Sequence, residues 1–101
     1  PTIERHLDKL PTVEIALYYA YLHNAGIYHP MNEFGGIMAG HKALAEKHGK
    51  KAGSFRNAWD SICTKELREE ASGMKKRINR IRYFLPTTDR QLAEAELALL
   101  K

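Results

Sequence analysis

Residues 41–60 read HKALAEKHGKKAGSFRNAWD. Leu44 and Ala45 continue an apolar face spaced for a helix, and Gly49 is the natural stop, because glycine accepts the left-handed conformation that closes helices. Lys50 to Gly53 then form a turn. Ser54 is a candidate N-cap for a second helix, with Phe55, Ala58, Trp59, Ile62 and Cys63 on its inner face. The stretch therefore predicts two short helices joined by a tight connection, and the rest of the chain continues the same idiom.

Upstream, residues 31–49 predict one helix, with Phe34, Ile37, Met38, Leu44 and Ala45 on one face. Gly35, Gly36 and Gly40 weaken it by ~1 kcal/mol each relative to alanine. Either the helix starts after Gly36, or the glycines allow a neighbour to pack closely. Further upstream, Thr2 can cap a short helix through Ile3, Leu7 and Leu10 that Pro11 ends. Thr12 can cap the next, which the Asn24-Ala25-Gly26 cluster stops. Downstream, Thr64 continues or restarts a helix that Ser72-Gly73 breaks. Met74, Ile78, Ile81 and Leu85 mark another at i, i+4, i+7 and i+11, ended by Pro86. Thr88 to Gln91 has the capping-box pattern ahead of a last helix. Sustained period-2 alternation is missing. The expectation is an all-α fold: a single helical domain over 1–101, built as a compact bundle of five or six short helices with a helix-turn-helix-like pair in the middle.

Composition bounds the class. At 44% hydrophobic and 28% charged residues the chain is globular, not disordered. No apolar run approaches the ~20 residues that span a membrane, and no signal peptide is visible at the start of the sequence. The lone Cys63 cannot form an internal disulfide and reads as a buried free thiol, so the expected compartment is the cytoplasm. Net charge is +4 and is unevenly spread. Residues 42–82 carry twelve Lys or Arg against five acids, whereas the flanks are slightly acidic. A basic middle fits a face for a polyanion, or a solvated surface.

The spacing Leu44, Ala45, Gly49, Phe55, Ala58 resembles the helix-turn-helix of bacterial DNA-binding proteins. The resemblance implies that small Ala45 lets two helices cross closely, and that Phe55 and Ala58 pack the second helix back on the first. It covers about a fifth of the chain. It departs from the pattern at Lys50, where the family has an aliphatic plug, so a longer connection between the helices is an open alternative. The resemblance further implies that the helix begun by Ser54 reads DNA. Arg56 and Asn57 become candidates for base edges, because Arg suits guanine and Asn suits adenine. Lys47, Lys50 and Lys51 become candidates for phosphates.

A second basic segment, KKRINRIRYF at 75–84, adds Lys75, Lys76, Arg77, Arg80 and Arg82 around the Met74/Ile78/Ile81/Leu85 stripe. Such a helix can lie along a phosphate backbone, an acidic protein or a membrane surface, or can be a core helix with a solvated back. Tyr18, Tyr19, Tyr21 and Tyr28 concentrate near the start of the sequence, and at least one should be exposed, where it suits a protein interface. No zinc-type spacing links His6, His23, His29, His41 and His48, which read as surface or partly buried residues; neither a metal nor another cofactor is expected. Glu66, Glu69 and Glu70 read as i, i+3 and i+4 partners of Lys65, Arg68 and the Lys75 neighbourhood, not as an acid/base pair. No catalytic pair emerges, so an enzyme is not expected. The expected function is a small regulatory DNA-binding protein acting on duplex DNA as a homodimer; the alternative is a non-enzymatic inhibitor or adaptor that binds an acidic protein.

Overall fold

A computed structural model of the chain describes residues 8–24, 37–71 and 73–100. Six helices and one 3-10 turn follow in order: α1 (Thr12–Asn24), α2 (Ile37–Lys47), α3 (Ala52–Ile62), α4 (Lys65–Glu70), α5 (Met74–Ile81), η1 (Arg82–Phe84) and α6 (Thr87–Leu99). The fold is an all-α bundle with no strand among the described residues. The predicted helix at 2–10 lies outside them except for its last three positions, as do Tyr28, His6 and His29.

Helix α1 is the axis of the molecule. It packs on α3 and α5 and also touches α6. It is buried nearly all round, from Glu14 to Leu17 and from Tyr19 to Leu22. A helix surrounded by others has no single apolar stripe, which is why its sequence shows little periodicity. Tyr19 and Tyr21 are buried, and Tyr18, partly buried, packs edge-on against Tyr19. None of the three tyrosines of α1 is exposed, contrary to expectation, because the helix is enclosed by its neighbours.

Helix α2 is described from Ile37, so Phe34, Gly35 and Gly36, and with them the choice of start, lie outside the described residues; it ends at Lys47, ahead of the expected stop at Gly49. Gly49 has φ +69°. The Lys50 N–H donates to the Ala45 carbonyl at 2.7 Å and the Gly49 N–H to that of Glu46 at 3.2 Å. This is the paired bonding that satisfies the last carbonyls of a helix. Four residues, His48 to Lys51, then connect α2 to α3. Phe55, Ala58, Trp59 and Ile62 are buried, as the period requires.

The capping chemistry differs from expectation at Thr12, Ser54 and Thr88: α1 already begins at Thr12, which is therefore inside the helix and not its cap. Thr64 caps α4, its hydroxyl accepting from the Leu67 N–H at 3.2 Å. Ser54 does not cap α3: the helix begins earlier, Lys51 is its cap residue, and Ser54 is already in the first turn. The Thr88–Gln91 box is not formed either. Pro86 is the cap residue of α6 and Thr88 is already helical, a conformation from which its hydroxyl cannot reach forward. Helix α5 gives way to η1 at Arg82, before Pro86; Arg90 closes this end by donating to the carbonyls of Arg82, Tyr83 and Leu85 at 3.1–3.2 Å.

The acidic cluster on α4 is also rearranged. Lys65 and Glu69 approach at 4.0 Å as expected, but Arg68 turns inward. Its guanidinium grips Glu96 of α6 through two bonds of 2.7 and 2.9 Å and donates to the Ile62 carbonyl at 3.1 Å. It also lies 4.8 Å from the Tyr21 ring centre. The Tyr21 hydroxyl donates to the same carboxylate at 3.3 Å, and burial, with the Glu96 charge, pushes this phenol well above its ordinary range. Cys63 is a free thiol that is only partly buried.

Candidate nucleic-acid interface

The α2–α3 pair presents its polar side outward. On α3, Ser54, Arg56, Asn57 and Asp60 are exposed while the intervening Phe55, Ala58 and Trp59 are buried. Lys47 at the end of α2 and Lys51 at the start of α3 are exposed, and Lys50 between them is partly so. The six residues predicted from the hairpin lie within the end of α2, the turn and the first turns of α3; Ser54 and Arg56, two positions apart, leave the helix on different sides.

What fixes the angle of α3 is a set of rings beneath it. Two histidines point inward, His41 of α2 and His48 just past its end; each is 2% exposed. The His41 ring lies 5.6 Å from both the Phe55 and Trp59 rings. Neither of its nitrogens has a hydrogen-bond partner among the described residues, and burial holds its pKa below the usual histidine range. The nearby Arg56 charge pushes the same way, while Asp60 opposes both. His48 bridges two further segments. One ring nitrogen, Nε2, is 2.6 Å from the Tyr19 hydroxyl, and the other, Nδ1, is 2.5 Å from Asp8. Tyr19 in turn packs edge-on against Phe55, with ring centres 6.4 Å apart. The turn, α1 and the residues before α1 are therefore tied to the base of α3.

These histidines were expected at or near the surface. The signal for burial was present: 41, 44, 45 and 48 are spaced i, i+3, i+4 and i+7, so His41 and His48 share the face of Leu44 and Ala45. Among the described residues no group of three or more His, Cys, Asp and Glu side chains could hold a metal ion.

The second basic segment is placed elsewhere and differently used. Helix α5 packs on α1 and α6, whereas α3 packs on α1 and α2. Arg80 donates to the buried Glu14 carboxylate at 3.0 Å, neutralising a charge inside the bundle. Arg82 donates to the Tyr83 hydroxyl at 2.6 Å and stacks 4.7 Å from that ring's centre. Arg77 is partly buried, and Lys75 and Lys76 are exposed. The hairpin carries one group, while α5 spends part of its charge on internal structure.

No helix among the described residues is long and apolar enough to cross a membrane. No protein-family model, curated protein or solved structure matches this chain.

Proposed function

We propose that the protein binds duplex DNA through the α2–turn–α3 hairpin. The observation that carries this reading is the division of α3 into a buried and an exposed side: Phe55, Ala58, Trp59 and Ile62 anchor it, and Ser54, Arg56 and Asn57 are exposed, preceded in sequence by Lys47 at the end of α2 and by Lys50 and Lys51 of the turn. A helix is the element that a major groove admits, and Arg and Asn have the donor and acceptor geometry to read guanine and adenine there. Lys47, Lys50 and Lys51 supply phosphate contacts that set register without reading sequence. Asp60, one turn beyond Arg56, limits how far along α3 the duplex can lie, because a carboxylate repels phosphate. On this reading α5 contributes little to the DNA surface. Arg80 is paired with Glu14, Arg82 of η1 with Tyr83, and Arg77 is partly buried.

The test is a comparison of variants on a duplex selected from random sequence and on unrelated duplex. Arg56→Ala is expected to lose ~1–3 kcal/mol on the selected duplex and little on the unrelated one. Equal loss on both assigns Arg56 to phosphate contact only. Indifference of the protein to DNA, with retention of an acidic protein instead, supports the adaptor reading.

A further inference from the structure

Where α4 and α5 meet the end of α6, an open groove of about 790 Å³ is lined by Ala71, Met74, Leu99 and Leu100, with Lys75 and Lys76 on its rim and Glu69 beside them. Leu99 is 64% exposed, one of the few large apolar side chains so placed. The same helix carries a continuous outward face: Gln91, Glu94, Ala95, Ala98 and Leu99 are all exposed, at i, i+3, i+4, i+7 and i+8. That spacing is a helix-pairing seam, and alanines at its centre let two helix axes approach to roughly 8 Å.

We infer that the groove and this face of α6 are covered by a second copy of the chain, with the two α6 helices antiparallel about a two-fold axis. Register and charge single out this occupant. An axis between Ala95 and Ala98 sets Ala95 of each copy against Ala98 of the other. The same axis sets Glu94 of each copy opposite Leu99 of the other, where the groove opens. Glu94 then arrives beside the Lys75/Lys76 rim, and its own side chain covers Leu99. A two-fold operation makes every such contact twice, as closed dimers require. Each groove is net positive and each entering residue is negative, so the surface is complementary to itself in this register. The pairing does not rest on the DNA reading: it uses α5 and α6, not α3.

Sedimentation equilibrium over micromolar to millimolar protein is the experiment, with circular dichroism to confirm that each variant is folded. The wild-type chain is expected to dimerise. Glu94→Lys places like charges together at two symmetric points and is expected to weaken the dimer by ~10-fold or more. The triple variant Glu94→Lys/Lys75→Glu/Lys76→Glu restores opposite charges and is expected to recover it. Ala98→Arg, on the exposed seam, is expected to leave a folded monomer. A wild-type chain monomeric throughout overturns the inference, and so does a dimer indifferent to Glu94→Lys or not recovered by the reversal. Failure here is separable from failure of DNA binding. Arg56→Ala is expected to sediment as wild type, and Ala98→Arg to retain binding of a short duplex per monomer.

Discussion

Glu96 is the residue whose loss the fold should tolerate least among its charged groups. It is 6% exposed and accepts two bonds from an Arg68 that is 1% exposed. Glu96→Ala leaves that guanidinium buried with no counter-charge, a situation that costs ~3–5 kcal/mol. Against a total stability of ~5–15 kcal/mol, and at ~4–8 °C per kcal/mol for a chain of this length, the melting temperature should fall by roughly 12–40 °C. Removing both charges is different in kind. The attraction between them was offset by the cost of drying each one, so Arg68→Met/Glu96→Leu should lie far closer to wild type than either single change. Two polar groups would still be orphaned: the Tyr21 hydroxyl loses its acceptor and the Ile62 carbonyl a donor. Adding Tyr21→Phe removes the first and should recover part of the remaining loss, ~1 kcal/mol or more. Urea titrations followed by circular dichroism and Trp59 fluorescence would give all four free energies. A Glu96→Ala cost below ~1 kcal/mol, or a double variant as damaged as the two single losses added, would refute the reasoning that the pair is a buried, mutually dependent unit.

Two further perturbations follow from the ground beneath α3. Because burial lowers the His41 pKa, the unfolded chain takes up a proton at this site before the folded one does as pH falls below ~6.5. Stability should therefore decline from pH 7.5 to pH 5.5, and His41→Phe should lose less over that interval; an identical decline in both proteins would assign the effect to other groups. At the hinge, Gly49→Ala should cost ~1–2 kcal/mol, since an added Cβ meets nothing within 4 Å and only the positive φ opposes it. Gly49→Asn should cost less, and a neutral alanine variant would mean that the turn can adopt another conformation.

How far the sequence could be read depended on the range of the interaction. Helix α3 was legible because its two faces differ, and the stop at Gly49 because one residue decides it. The starts of α3 and α6 were not, since Thr64, Ser54 and Thr88 look equally suited to capping, yet only Thr64 precedes its helix. Arg68 was placed with its near neighbours Glu66, Glu69 and Glu70. Its actual partner, Glu96, is 28 residues away and meets it only because the bundle folds. The same applies to Arg80 and Glu14, which are 66 residues apart. Of the candidate site, the hairpin residues are exposed or partly exposed, as the apolar period of α3 implied for their positions. Arg80 and Arg82 have partners within the fold, Glu14 and Tyr83, because a run of basic residues in sequence does not say which group each side chain will face.

The central claim is most directly tested by titrating the wild-type chain and the Lys50→Ala/Lys51→Ala variant with duplex DNA at 50 and 200 mM salt. Three lysine contacts to phosphate predict that wild-type affinity falls roughly 40-fold over that range, and that the variant's salt slope is shallower by about two. Absence of binding at 50 mM salt, or a salt slope unchanged by the loss of both lysines, would contradict a DNA interface built on the α2–α3 hairpin.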